Sequence, residues 1–96
     1  MSNITGNFIG NYVLSDIEAA GGAITNFGEI TNGIINSSFT NNYAKSSTGT
    51  ALGGAIYTSN DLSIVADNGI SLFSGNYTQV GEGAKDYNAI YVDSNA

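Results

Sequence analysis

The sequence predicts an all-β chain wound as a parallel β-helix, a β-solenoid of about three coils of 31–34 residues with three short strands per coil. Three observations lead there. Two short motifs alternate along the chain at a nearly constant interval, the apolar runs are strand-length without helical period, and the polar residues are mostly small ones that suit turns and stacked ladders.

Length and composition set the frame. At 96 residues the chain is a single domain, residues 1–96, because domains run to roughly 100–200 residues. Charged residues are 10% of it while 42% is hydrophobic, so charge and not apolar content is what is missing relative to the roughly 25% charged residues of an ordinary domain. Its place is taken by 13 Gly, 13 Asn, 11 Ser and 8 Thr, which makes amphipathic helices unexpected. Six Tyr and four Phe, with many Ile and Val, exclude a disordered chain, which lacks apolar residues to bury.

The repeats come in order. Phe8-Ile-Gly-Asn11-Tyr12, Phe39-Thr-Asn-Asn42-Tyr43 and Phe73-Ser-Gly-Asn76-Tyr77 share the pattern Phe-x-x-Asn-Tyr, with the Phe residues 31 and then 34 apart. Between them Gly21-Gly22-Ala23-Ile24 and Gly53-Gly54-Ala55-Ile56 are identical, and Tyr87-Asn88-Ala89-Ile90 keeps the Ala-Ile; the Ala residues are 32 and 34 apart. The array divides into a partial coil 1–22, coils 23–54 and 55–88, and a partial coil 89–96.

Each element follows from local chemistry. Ala23-Ile-Thr, Ala55-Ile-Tyr-Thr and Ala89-Ile-Tyr-Val are β-prone, and Leu62-Ser-Ile-Val-Ala and Ile70-Ser-Leu-Phe alternate with the period of a strand. Asn26-Phe-Gly, Thr31-Asn-Gly, Ser59-Asn-Asp and Asp67-Asn-Gly separate them as turns, since Gly and Asn reach positive φ cheaply. In a parallel coil every strand lies on its equivalent about 4.8 Å away. Phe8, Phe39 and Phe73 are then expected to stack inside, and Asn11, Asn42 and Asn76 to form an amide ladder bonded along the stack and to corner backbone. The Gly-Gly pairs are expected to permit either a positive-φ corner or a close backbone approach, with Ala23, Ile24, Ala55, Ile56, Ala89 and Ile90 turned inward.

Alternating Gly-Gly-Ala-Ile and Phe-x-x-Asn tetrapeptides, over roughly residues 4–92, resemble the polymorphic outer-membrane protein repeats of bacterial autotransporter passengers. The resemblance implies a right-handed parallel β-helix at the cell surface, outside or attached to the outer membrane, with adhesive roles and no family-wide catalytic residues. The chain departs from it by losing Gly-Gly in the third unit and by lacking a leader and a translocator barrel, as an excised piece of a passenger would.

Charge and residue types bound the function. The net charge is −6, with Lys45 and Lys85 the only cations, so phosphate backbones have no footprint and nucleic acid is not a partner. No apolar run is long enough to span a membrane. Without Cys or His, thiolate metal sites and the commonest general base are excluded, and no cofactor is expected. Glu29 and Asp61 could pair across a groove for glycoside hydrolysis or hold calcium, but no Arg or His accompanies them, and an enzyme is not expected. Asn3, Asn36 and Asn76 head glycosylation sequons, which chance supplies in so Asn-rich a chain.

Segments 13–22, 44–54 and 78–88 differ between units and hold Asp16, Glu18, Lys45, Glu82, Lys85 and Asp86, so they read as loops available for recognition. The expected function is a structural or adhesive surface module, a passenger fragment whose coils stack end to end on further copies into filaments. The alternative is a module that binds a carbohydrate or a host-surface receptor through its loops. Stacking is expected because neither end shows a Pro, a helix or a charged cover that would close the open strand edges.

Overall fold

The computed structural model describes residues 3–27, 33–59, 62–66, 69 and 71–93. Among the described residues every regular element is a strand, and all the strands pair in parallel with residues about one coil away. The fold is all-β, with parallel strands in stacked sheets, an arrangement compatible with a β-solenoid.

Five ladders make the walls. The first contains β1 (Asn3–Ile4), β6 (Gly33–Ile35) and β11 (Ile64–Val65); the second contains β2 (Asn7–Ile9), β7 (Ser38–Thr40) and β12 (Leu72–Ser74). The third contains β3 (Tyr12–Ser15), β8 (Tyr43–Ser46) and β13 (Tyr77–Val80), and the fourth only β4 (Glu18–Ala20) and β9 (Thr50–Leu52). The fifth contains β5 (Ile24–Asn26), β10 (Ile56–Thr58) and β14 (Ile90–Val92). The registers place Phe8 on Phe39 on Phe73, and Ile24 on Ile56 on Ile90.

Two expectations are corrected here. Among the described residues coil 23–54 carries five short strands and coil 55–88 carries four, not three, because single left-handed residues break what reads as one strand into two. Gly10, Asn41 and Gly75, the third residue of each Phe-x-x-Asn, have φ of 67°, 57° and 68°, and at each the chain turns from the second ladder into the third. The segments expected to be loops, 13–22, 44–54 and 78–88, contain most of the third ladder and all of the fourth. Their strands are easy to miss because the inward residues, Ala44, Ser46 and Ala19, are small, so period-two hydrophobicity never shows.

The core is narrow. Ile34, Phe39, Ala55 and Ile56 are fully buried, and Ile4, Phe8, Ala23, Ile24, Leu62, Phe73 and Ile90 pack against them. All of these lie on the first, second and fifth ladders or their corners. Behind the third and fourth ladders the buried residues are instead Ala19, Ala44, Ser46 and Thr78. Gly22 and Gly54 explain the division: a Cβ on Gly22 would lie 2.6–2.7 Å from the backbone of Tyr43, and one on Gly54 would lie 2.4–2.5 Å from N and O of Tyr77. Opposite walls of the coil therefore touch at these glycines. They split the cross-section into an apolar lobe and a smaller lobe filled by short side chains and by hydrogen bonds such as Ser46 Oγ to the Ile17 carbonyl (2.9 Å).

Candidate functional site

The repeated residues build the scaffold that positions the site. Phe8 and Phe39 stack at 4.7 Å between ring centroids, and Phe39 and Phe73 at 4.8 Å, with planes 5–6° apart. At the corner beyond them, the Asn42 amide group donates to the carbonyl of Phe8 (2.9 Å) and to Oδ1 of Asn76 (2.9 Å), while its own Oδ1 accepts from the backbone N–H of Asn11 (2.8 Å). Asn76 repeats the pattern one coil on, donating to the carbonyl of Phe39 (2.8 Å) and accepting from the Asn42 N–H (3.0 Å). Asn42 thus ties its corner to both neighbouring coils and Asn76 to the coil before it, which is why both can be buried without loss of partners.

The Gly-Gly-Ala-Ile corner divides its labour. The first glycine, Gly21 or Gly53, takes φ of 63° or 71°, where an added Cβ would strike the carbonyl of Ile24 or Ile56. The second, Gly22 or Gly54, makes the contact between walls, and Ala23, Ile24, Ala55 and Ile56 enter the core. In the last unit Ile90 still packs on that core and Ala89 is half-buried, but Tyr87 and Asn88 stand where the other units have glycine.

Outside the third ladder lies a second aromatic column. The residue after each ladder Asn points away from the interior, and Tyr12, Tyr43 and Tyr77 stack at 5.1 and 4.9 Å with planes 8° apart. Lys85 places its ammonium 4.4 Å from the Tyr77 ring centroid, and Tyr87 meets the same ring edge-on at 6.2 Å. On the fifth ladder Tyr57 and Tyr91 stack at 5.5 Å, and Tyr57 donates to Oδ2 of Asp93 (2.8 Å). That hydrogen bond to a carboxylate holds the Tyr57 hydroxyl above the usual phenol pKa.

Beside the tyrosine column opens a cleft of about 660 Å³ lined by Leu14, Ser15, Asp16, Lys45, Ser47, Gly81 and Glu82. Every one of these residues comes from a segment that differs between units. Segment 13–22 supplies Leu14, Ser15 and Asp16, segment 44–54 supplies Lys45 and Ser47, and segment 78–88 supplies Gly81 and Glu82. Parallel stacking superimposes 13–15, 44–46 and 78–80, and 18–20 on 50–52, and Gly81 and Glu82 directly follow the stacked strand, so residues of all three segments meet at one place. The Asp16 carboxylate accepts from Ser47 Oγ at 2.9 Å, and the Asp16 carbonyl accepts from Thr48 Oγ1 at 2.8 Å, which fixes one rim of the cleft. Two carboxylates, two hydroxyls and an ammonium there offer acceptors and donors beside the apolar Leu14, the composition that a polyhydroxylated ligand can satisfy.

Glu29 and Asp61 lie outside the described residues. Asn76, head of one sequon, is buried in the ladder. The motif spacing does not single out Gly10, Asn41 and Gly75 or the outward tyrosines, although the third position of every Phe-x-x-Asn is Gly or Asn and every ladder Asn is followed by Tyr. Comparison of the chain with protein-family models, curated proteins and solved structures found no match.

Proposed function

We propose that the chain is a structural and adhesive surface module, a right-handed β-helix of the kind found in bacterial autotransporter passengers, which recognises a glycan or glycan-bearing receptor at the cleft beside its tyrosine column. The observation that carries the reading is the convergence of three dissimilar segments on one cavity. Residues needed only to close a coil have no reason to differ at the same place in three successive units, whereas residues facing a ligand do. The supporting scaffold is rigid for a physical reason, since the corner between the second and third ladders is tied from coil to coil by the Asn ladder and the first two units are braced across the middle by Gly22 and Gly54. The Gly-Gly-Ala-Ile and Phe-x-x-Asn resemblance supports the surface location and the handedness.

The test is a glycan array and a cell-binding assay with the wild-type chain, followed by Asp16→Asn, Lys45→Ala and Glu82→Gln. Asp16 and Glu82 are exposed and Lys45 is half-buried on the outer face, so the fold should survive each change. Binding is expected to fall about tenfold or more for at least one of them, equivalent to about 1.4 kcal/mol. A wild-type chain that binds no glycan or cell, or three variants that bind as well as it does, would refute the reading.

A further inference from the structure

We infer that residues 81–88 terminate the stack: they close the edge of β13 so that no further coil, from a second copy or from the chain beyond Val92, can be added to it. This stands on backbone geometry and does not depend on what the cleft binds.

Three observations agree. The first is that the fourth ladder stops at two strands. Counting from the register of the third ladder, in which Tyr77 lies on Tyr43, residues 84–86 occupy the position that Thr50–Leu52 occupies one coil earlier. They do not lie on β9. The chain turns at Gly81, whose N–H still bonds to the Ser46 carbonyl (2.7 Å), and returns antiparallel to β13. The Thr78 N–H then donates to the Asp86 carbonyl (2.7 Å) and the Asp86 N–H to the Thr78 carbonyl (2.8 Å). In β8, one coil below, the outward edge is taken by β13. The bridge to Asp86 fills the edge that a next strand would need.

The second observation concerns the tyrosine column. Tyr43 is stacked on both faces by Tyr12 and Tyr77, but beyond Tyr77 the next contacts are the Lys85 ammonium and the edge of Tyr87. An ammonium and a crosswise ring stand where a fourth parallel ring would go.

The third is steric. Ile90 lies on Ile56, which puts Asn88 at the position of Gly54. There a Cβ would come within 2.4–2.5 Å of the backbone of the tyrosine across the coil, as the geometry at Gly54 shows for Tyr77. A further coil that repeated this geometry would have to bring its tyrosine backbone into that space, and the Asn88 side chain forbids it. The inferred cap runs against the expectation of stacking through this end, drawn from the lack of a visible charged cover. Lys85 and Asp86 are that cover, supplied by a fold-back that local sequence does not reveal.

Two measurements test the inference on the 96-residue chain. In hydrogen exchange, the Thr78 and Asp86 amides should exchange at least about tenfold more slowly than the Ala84 amide, which has no such bond; equal rates at all three would overturn it. In the second, residues 81–88 are replaced by Ser-Thr-Gly-Thr-Ala-Leu-Gly-Gly, the sequence of 47–54. By light scattering over a range of concentrations the wild-type chain should not grow through its last coil. The replaced chain should gain at least about twofold in weight-average mass as concentration rises. A wild-type filament in which β13 is paired to another copy, or a folded replacement that stays monomeric, would overturn the inference. If the replaced chain does not fold, the exchange measurement decides alone.

Discussion

The phenylalanine column and the tyrosine column begin four residues apart in each unit and have nearly the same geometry, yet they sit in opposite environments. Rings repeat at 4.7–4.8 Å inside and 4.9–5.1 Å outside, with planes within 8° in both. Phe39 is fully buried, while Tyr12 is 57% exposed. The stacking distance is thus set by the spacing of parallel in-register strands and carries no information about how much a column stabilises. Burial decides that. Phe39 removes its whole surface from water and Phe8 and Phe73 are partly buried against the same core, whereas the tyrosines give up ring faces to each other on the outer face.

Three substitutions in the middle coil sharpen the contrast. Phe39→Ala should cost most, about 3–5 kcal/mol, because the ring leaves a cavity between two neighbours that the strand register holds apart. Chemical denaturation of the purified chain measures it, and a loss below the value for Tyr43 would reverse the assignment of inside and outside. Asn42→Ala should come next, at about 1–3 kcal/mol, through the unpaired Phe8 carbonyl and Asn11 N–H that it leaves behind. Its signature in hydrogen exchange is faster loss of the Asn11 amide. Tyr43→Ala should be the mildest, about 1 kcal/mol, since it removes two stacking contacts at a half-wet surface. An unchanged melting curve for Phe39→Ala together with a large shift for Tyr43→Ala would break the comparison outright.

These columns also show which features a sequence can carry. The interval between ladder residues survives in the sequence because parallel pairing in register converts a spatial repeat into a numerical one: Phe39 lies on Phe8 and Phe73 only if 31 and then 34 residues close each coil. The number of strands does not survive in the same way. Strands of two to four residues, separated by one left-handed residue such as Asn41, are too short to establish a period, and inward Ala44 and Ser46 hide the apolar face that would mark β8. The cleft was less legible still, because Asp16, Lys45 and Glu82 become neighbours only when three segments are superimposed. The fold-back at 81–88 was the least legible. Its two defining bonds join backbone groups of Thr78 and Asp86, so side-chain identity says almost nothing about them.

The contact between opposite walls at Gly22 and Gly54 has a mechanical meaning. A hollow tube under bending or squeezing fails first by flattening, because nothing inside resists the approach of its sides. Here the sides already touch along a line that runs from coil to coil, so the tube has an internal web and behaves as two narrow ducts sharing a wall. Load applied at the cleft on the smaller duct passes through that web into the apolar one. A side chain of any size at either glycine would pry the web open and leave a wider, softer tube. The smallest residue in the chain is in this sense what makes the stack stiff.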